Sequence, residues 1–374
     1  MKYYIIAGEA SGDLHGSNLM KQLAEKDKNA EFRFWGGDKM AQIGGKPVKH
    51  IKELAFMGFL EVLLNIKTIL SNLKFCKKDI ADFEPDAVIL IDYPGFNMRI
   101  AQFAKSKGIK VIYYISPQIW AWKQSRVHKI KKYVDKMLTI LPFENEFYSR
   151  FDYKAEFTGH PLLDAIDNEK ADIKSFSQQN KLNEKPIVAL LPGSRKQEIA
   201  SMLKIMTDSV KGIDDYQFVV AGLSQHPESF YLKHIKTENI TLIFDQTYNL
   251  LKNSYAALVT SGTATLETAL YDVPQVVCYK GGTLSYMIAK RLVKVKYISL
   301  VNLIMDKIVV KELIQNELNR KNLRNEVNKL LFDKKHREKI LKDYEELKIR
   351  LGGKGASERA SEIILNFLNK NNES

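Results

Sequence analysis

Cysteine is nearly missing from this chain: there are two in 374 residues, Cys76 and Cys278, far apart and in no ligand motif. A disulfide scaffold is thereby excluded, and two buried free thiols are expected. The seven histidines form no His-x-x-x-His pair and no Cys/His cluster, so no structural metal is expected. No apolar run approaches the ~18–20 residues that a bilayer-crossing helix needs. Only a short apolar run precedes Glu9, too little for a secretory signal, so the chain is expected to stay in the cytoplasm. Nucleotide fingerprints are missing too. The stretch AGEASGDLHG (7–16) follows an apolar run and ends in a helical pattern near His15, yet it has neither Gly-x-Gly-x-x-Gly nor Gly-Lys-Ser/Thr.

Positive charge, by contrast, is plentiful. Lys and Arg number 57 against 44 Asp and Glu, a net +13. Such a surplus favours polyanions: nucleic acid, an anionic membrane face or phosphorylated substrates. It is concentrated in Trp122–Lys136 (WKQSRVHKIKKYVDK) and in Lys290–Lys296 (KRLVKVK). Lysine-rich surfaces also follow genome composition, so charge alone decides little.

Hydrophobic residues at 45% and charged residues at 27% are ordinary for a globular protein, and the length calls for two domains. Apolar runs at Tyr3–Ala7, Ala87–Ile91, Val111–Ile115 and Met137–Leu141 read as buried parallel strands. A second series follows at Ile187–Leu191, Gln217–Ala221, Thr241–Phe244, Ala256–Thr260 and Gln275–Tyr279. The expected fold class is α/β: two Rossmann-like doubly wound domains facing across a cleft, with C-terminal helices. The expected division is 1–165, 186–345 and a final helical piece, 346–374. From Lys311 onward the chain reads as Lys/Glu-rich helix, broken at Gly352–Gly355. Its last helix carries Ile363, Ile364, Phe367 and Leu368 on an apolar face.

Both domains open on a strand and a glycine-bearing turn, but with opposite chemistry. In LLPGSR (190–195), Gly193 lets backbone come close, Ser194 and the helix-start amides follow, and Arg195 can grip a diphosphate. A plain Pro-Gly turn with a solvated arginine competes with that reading. In TSGTATLE (260–267), the small residues Ser261, Gly262, Thr263, Ala264 and Thr265 before a helix make a second anion cradle. There Glu267 can accept from ribose hydroxyls; an ordinary cap by Ser261 or Thr263 is the plainer alternative. The first loop holds Glu9, Ser11 and Asp13, which would repel a pyrophosphate and suit a hydroxyl-bearing ligand such as a sugar. Here too a helix cap by Ser11 or Asp13 is a strong alternative.

AGEASGD (7–13), MGFLEVL (57–63), IDYPGFN (91–97), YYISPQIWAWKQSRVHKI (113–130), LPFE (141–144), GHPLLDA (159–165), LLPGSR (190–195) and SGTATLETAL (261–270) resemble the bacterial lipid-A-disaccharide synthases. So does Lys290–Lys294 followed by Tyr297–Asn302. The resemblance runs in order from residue 3 to about residue 320. It implies the two-Rossmann-domain glycosyltransferase fold of GT-B type; separately, no cofactor is expected. It also implies a reaction joining UDP-2,3-diacylglucosamine to 2,3-diacylglucosamine 1-phosphate through a β-1′,6 linkage, with release of UDP. The family works on the cytoplasmic face of the inner membrane. One departure is that many members read Asp-Ala-Pro-Asp-Phe-Asn where this chain has Asp92-Tyr-Pro-Gly95-Phe-Asn97, so the second carboxylate cannot be essential here.

On that reading the donor is α-linked and the product β, so a single displacement needs a base and a stabiliser for the departing diphosphate. Asp92, ending an apolar strand beside a Pro-Gly turn, is the expected base; a simple turn aspartate is the competing view. The sequence has no Asp-x-Asp triplet, which leaves Arg195 and the 261–263 turn to neutralise the leaving group without metal. The resemblance also marks Asn302 as a donor-site residue. Glu9, Ser11, Asp13, Met57 and Phe59 are assigned to the acceptor. Residues 57–75 read as a helix that either lies on anionic lipid or fills the core. The C-terminal helices are expected to pack on the N-terminal domain or on a partner in a homodimer. Alternatives are another UDP-sugar transferase or epimerase of this fold, a nucleic-acid-binding protein, and a Rossmann dehydrogenase. The acidic first loop and the missing fingerprints count against the last two.

Overall fold

The structure is a computed structural model and describes residues 1–54, 66–166, 172–235, 239–282 and 296–370. It separates into two compact units. One comprises Met1–Ala165 together with Leu351–Ser374, and the other Ile166–Arg350.

In the first unit seven strands form one sheet: β1 (Lys2–Ala7), β2 (Glu31–Gly36), β3 (Lys49–His50), β4 (Ala87–Ile91), β5 (Lys110–Tyr114), β6 (Lys136–Thr139) and β7 (Ala155–Phe157). All pairings are parallel, in the order β3-β2-β1-β4-β5-β6-β7. The second unit repeats the plan with β8 (Ile187–Leu191), β9 (Gln217–Gly222), β10 (Ile240–Phe244), β11 (Ser254–Thr260), β12 (Gln275–Tyr279) and β13 (Lys311–Ile314), ordered β10-β9-β8-β11-β12-β13. Helices cover both faces of such sheets, so the central strands are apolar throughout: AVILI in β4 and IVALL in β8 are buried at every position. Each sheet reverses its winding once, between β1 and β4 and between β8 and β11. The loops leaving those strands splay apart and leave a crevice at the carboxyl edge.

The strands missing from the sequence reading are β2, β3, β7 and β13. None is a continuous apolar run. β3 has two residues, β7 is only half-buried, and β2 alternates charge with apolar side chains. Lys311–Ile314 (KELI) corrects the expectation of helix from Lys311 onward: it is an edge strand, whose charged residues suit an unpaired edge. The helix expected near His15 begins at Ala10, so Ser11, Gly12 and Asp13 belong to its first turn rather than to a loop. Its Gly16 is there for packing, since a Cβ would lie 2.7 Å from the Met40 sulfur.

Residues expected to join the domains belong to the second unit, where Phe176 of helix Ile173–Gln179 enters the core. The last helix, Ala356–Lys370, belongs to the first unit. Asp164 caps it by accepting from the amides of Gly355, Ala356 and Ser357 at 2.7, 3.2 and 2.8 Å. Arg359 ties it to the Thr158 carbonyl at 2.7 Å, while Ile364 and Leu368 are buried. Of the expected 57–75 helix, residues 57–65 lie outside the described residues. From Ile66 to Phe83 it is helical, and it both fills the core through Leu73, Cys76 and Ile80 and exposes Ile66, Leu70 and Phe75.

Candidate active site

At the first switch point Ala7 of β1 pairs with Ile91 of β4. The next residues are Gly8 and Glu9 on one strand and Asp92 and Tyr93 on the other. Asp92 and Tyr93 both hold left-handed backbone, with φ of 45° and 47°, a costly conformation that must be held by its surroundings. The Asp92 carbonyl accepts from Asn97 Nδ2 at 2.8 Å and from Tyr113 Oη at 2.6 Å. The Tyr93 ring packs over Gly8 so closely that a Cβ there would sit 2.5 Å from it. Pro94 then opens helix Pro94–Ser106, where its missing N–H is no loss.

The main chain of Asp92 is thus fixed while its carboxylate is left without a cation partner among the described residues. Burial, and then the negative charge of Glu9, raises its pKa from 3.8 to about 6; the Tyr93 amide opposes the shift. A half-buried carboxylate of this strength is suited to take a proton near neutral pH. Glu9 is exposed at the N-cap of helix Ala10–Lys26, where its own side chain makes no cap bond. Ser11, two residues further on in the first turn, is exposed as well.

Asp13 is a correction. It is buried, and its carboxylate accepts from the amides of Gly37, Lys39 and Met40 at 2.7, 3.1 and 3.0 Å. It therefore caps helix Asp38–Gly44 from outside that helix, and three of its roughly four acceptor positions are taken by backbone amides rather than left for a sugar hydroxyl. Met57 and Phe59 lie outside the described residues.

At the second switch point the two glycine loops meet. Pro192, Gly193 and Ser194 after β8, and Ser261 to Ala264 after β11, wall one cavity of about 230 Å³. Gly193 needs its missing side chain twice over: φ is +101°, and a Cβ would come 2.8 Å from a Glu198 carboxylate oxygen. The Ser194 carbonyl is clamped by His226 Nε2 at 2.9 Å and Gln225 Nε2 at 3.1 Å, two residues the sequence reading missed. Helix Thr263–Leu270 begins without a side-chain cap, so its first amides have no side-chain acceptor. That is the condition for binding an anion. Ser261 Oγ is spent on the Ile298 carbonyl and Thr265 Oγ1 on the Gly262 carbonyl. Thr260 Oγ1, also in the cavity wall, is buried without a partner.

Glu267 stands in the wall shared with a neighbouring cavity of about 510 Å³, lined further by Asp245 to Asn249. Burial raises its pKa, and Tyr248 Oη donates to it at 3.2 Å. Tyr248, in helix Thr247–Lys252, also escaped the sequence reading; its position after β10, at the carboxyl edge of the same sheet, was the available signal. Arg195 is the N-cap of helix Lys196–Val210, exposed and paired with Glu198 at 3.3 Å, beside the cavity rather than in its wall.

Asn302 is the second correction. It is fully buried, donates to the Val310 carbonyl and Glu312, and accepts from the amides of Val309 and Val310, all at 2.9–3.0 Å. Every polar atom of its side chain is satisfied by the turn into β13, so it shapes that turn and has nothing left for a donor. Among the described residues no three His, Cys, Asp or Glu side chains converge as metal ligands, and no helix is long and apolar enough to cross a membrane.

Over residues 3–367 the chain matches a family model described as lipid-A-disaccharide synthetase. A lipid-A-disaccharide synthase of Geobacter metallireducens is 37% identical over 372 residues, 98% of this chain and 97% of that protein. Among solved structures, UDP-GlcNAc 2-epimerase from Neisseria meningitidis bound to UDP-GlcNAc superposes with a TM-score of 0.66 at 15% identity, covering 99% of this chain and 100% of that one. The glycotransferase of kitacinnamycin gives a TM-score of 0.66 at 13% identity, covering 98% and 99%. At such identities the two structures speak for the fold alone, the α/β two-domain architecture of GT-B type.

Proposed function

This chain belongs to the lipid-A-disaccharide synthase family, glycosyltransferases that form the lipid A disaccharide, and from that premise we propose how its two switch-point sites divide the reaction. The donor is UDP-2,3-diacylglucosamine and the acceptor is 2,3-diacylglucosamine 1-phosphate. Asp92 takes the proton of the acceptor 6-hydroxyl as that oxygen attacks the anomeric carbon of the donor. The bond from that carbon to the diphosphate breaks, its electron pair leaves with UDP, and inversion gives the β-1′,6 linkage. The proton stays on Asp92.

The leaving diphosphate lies on the Gly193–Ser194 and Gly262–Ala264 backbone, with Arg195 swinging from Glu198 to meet its charge. Glu267 takes the ribose hydroxyls. Glu9 and Ser11 face acceptor hydroxyls, and Met57 and Phe59 meet its acyl chains. The observation that carries this reading is the contrast between the two switch points. One offers an unpaired carboxylate of raised pKa, the other open amides around a glycine cradle. Incubation with both substrates should yield a disaccharide phosphate and one UDP per turn, at a rate unchanged by EDTA. Failure to release UDP would remove the reading; loss of turnover in EDTA, restored by Mg²⁺, would remove its metal-free part.

Ile66 and Leu70, one turn apart on helix Ile66–Phe83, are exposed apolar side chains with Lys67 and Lys74 on the same helix, and Trp122 is exposed among the lysines of its own segment. We place these side chains on the cytoplasmic face of the inner membrane, where anionic lipid attracts the cations and the interface accepts the apolar side chains. Co-sedimentation with phosphatidylglycerol vesicles should be strong at low salt and weakened by Leu70→Asp. No sedimentation at low salt would exclude it.

A further inference from the structure

Next to Asp92 lies a third cavity, of about 450 Å³, which begins at Pro94 and Gly95. Four cations line it: Arg99 from helix Pro94–Ser106, Lys123 and Arg126 from the turn before the next helix, and Lys129 from helix Val127–Tyr133. No acidic side chain is in its wall. Among the described residues none of the four stands in an ion pair. Lys123 and Arg126 lie instead on the Trp122 ring, 4.7 and 5.0 Å from its centre. Like charges gathered without counter-charge repel one another, and an anion relieves that repulsion. The rest of the wall is largely apolar, with Met98 and Ile119 facing the same space. Arg126 is also close enough for its charge to act on Tyr113, whose hydroxyl holds the Asp92 carbonyl.

We infer that the Arg99, Lys123, Arg126 and Lys129 cavity binds the phosphomonoester of a sugar 1-phosphate acceptor, an inference that rests on the acceptor reading above. In a hexopyranose the anomeric carbon and the carbon bearing the 6-hydroxymethyl group flank the ring oxygen. An acceptor with its 6-oxygen at Asp92 therefore carries its phosphate about one ring's width away, a span that a cavity beginning two residues beyond Asp92 can meet. A phosphomonoester brings a charge of roughly −1.5 to −2 and three strong acceptor oxygens. The guanidinium of Arg126 can grip two of them, and the lysines act as point charges. Met98 and Ile119 then meet the first methylenes of the acyl chains.

The test compares 2,3-diacylglucosamine 1-phosphate with dephosphorylated 2,3-diacylglucosamine, both in neutral detergent micelles that contain no anionic lipid. The parent enzyme is expected to prefer the phosphorylated acceptor by about 10- to 100-fold in kcat/KM, the range of one or two charge-assisted hydrogen bonds. Arg126→Ala with Lys129→Ala should cut that preference about tenfold or more. The loss should appear in KM for the phosphorylated acceptor and exceed by about tenfold or more any loss on the dephosphorylated one. Lys132→Gln, on the same helix but outside the cavity, should change neither. Equal losses on both acceptors, or an equal effect of Lys132→Gln, would overturn the assignment. Calorimetric titration of the two acceptors without donor separates the readings. Phosphate-dependent binding lost in the double variant, with no transfer in any condition, keeps the cavity assignment and removes the transferase reading. Normal transfer without phosphate preference does the reverse.

Discussion

Asp92→Asn is expected to lower kcat by about 10²–10⁴, the usual worth of a general base. The substitution keeps the shape of the side chain and both hydrogen bonds to the Asp92 carbonyl, from Asn97 and Tyr113, so the fold has no reason to change. The pH profile gives the claim a second handle. With its pKa raised to about 6, the parent carboxylate loses its active ionised form as pH falls through that value. Parent kcat/KM should therefore carry an acid limb near pH 6, absent from the residual activity of the Asn variant. Glu9→Gln should move that limb lower, because the Glu9 charge is the second cause of the shift. The same shift fixes the sign for stability. The folded value lies above the free one of 3.8, so ionising Asp92 costs stability as pH rises between the two, and the Asn variant should unfold no earlier than the parent at pH 8. A variant with near-parental kcat would end the assignment, and Glu9 would become the base to test.

Asp13→Ala is expected to destabilise the first unit by about 3 kcal/mol or more. It strips a buried carboxylate from three backbone donors at a helix start, and each donor then lacks a partner. In a unit of this size that is a fall in melting temperature of roughly 6–12 °C. Asp13→Asn keeps one acceptor oxygen and should lose about half as much. Glu9→Ala, on an exposed side chain only four residues away, should fall within about 2 °C of the parent. Should Asp13→Ala melt with the parent but fail to transfer, the carboxylate serves the substrate after all. The pair of variants thus divides one acidic segment into a structural half and a chemical half.

The fold was legible where burial is uniform. β1, β4, β8 and β12 read as strands because both faces of a parallel sheet are covered, so nearly every position is apolar. At the sheet edges the signal fades, and KELI looked helical because charged residues serve an edge strand and a surface helix equally well. Within the site, Gly193 and the small residues after β11 were legible as glycine-bearing turns at strand ends, and the structure puts both turns in the wall of one cavity. Asp13 and Asn302 misled for a common reason. A polar side chain announces hydrogen bonds but not whose, and both found backbone partners brought close only by tertiary packing. The basic cavity beside Asp92 was half visible. Its cations lie in the segment already noted for charge, whereas Arg99, from another helix, joins them only through the packing of the chain.

The chain leaves the first unit after Ala165 and returns to it at Leu351. On a ribosome, the sheet of the first unit is therefore synthesised early but must wait for the whole second unit to be made before its closing helix arrives. Trimming or tagging the tail is an intervention on the half that holds Asp92, however distant the two look along the gene. An isolated first unit for spectroscopy would have to be made as a fusion, with residues 351–370 spliced behind residue 165.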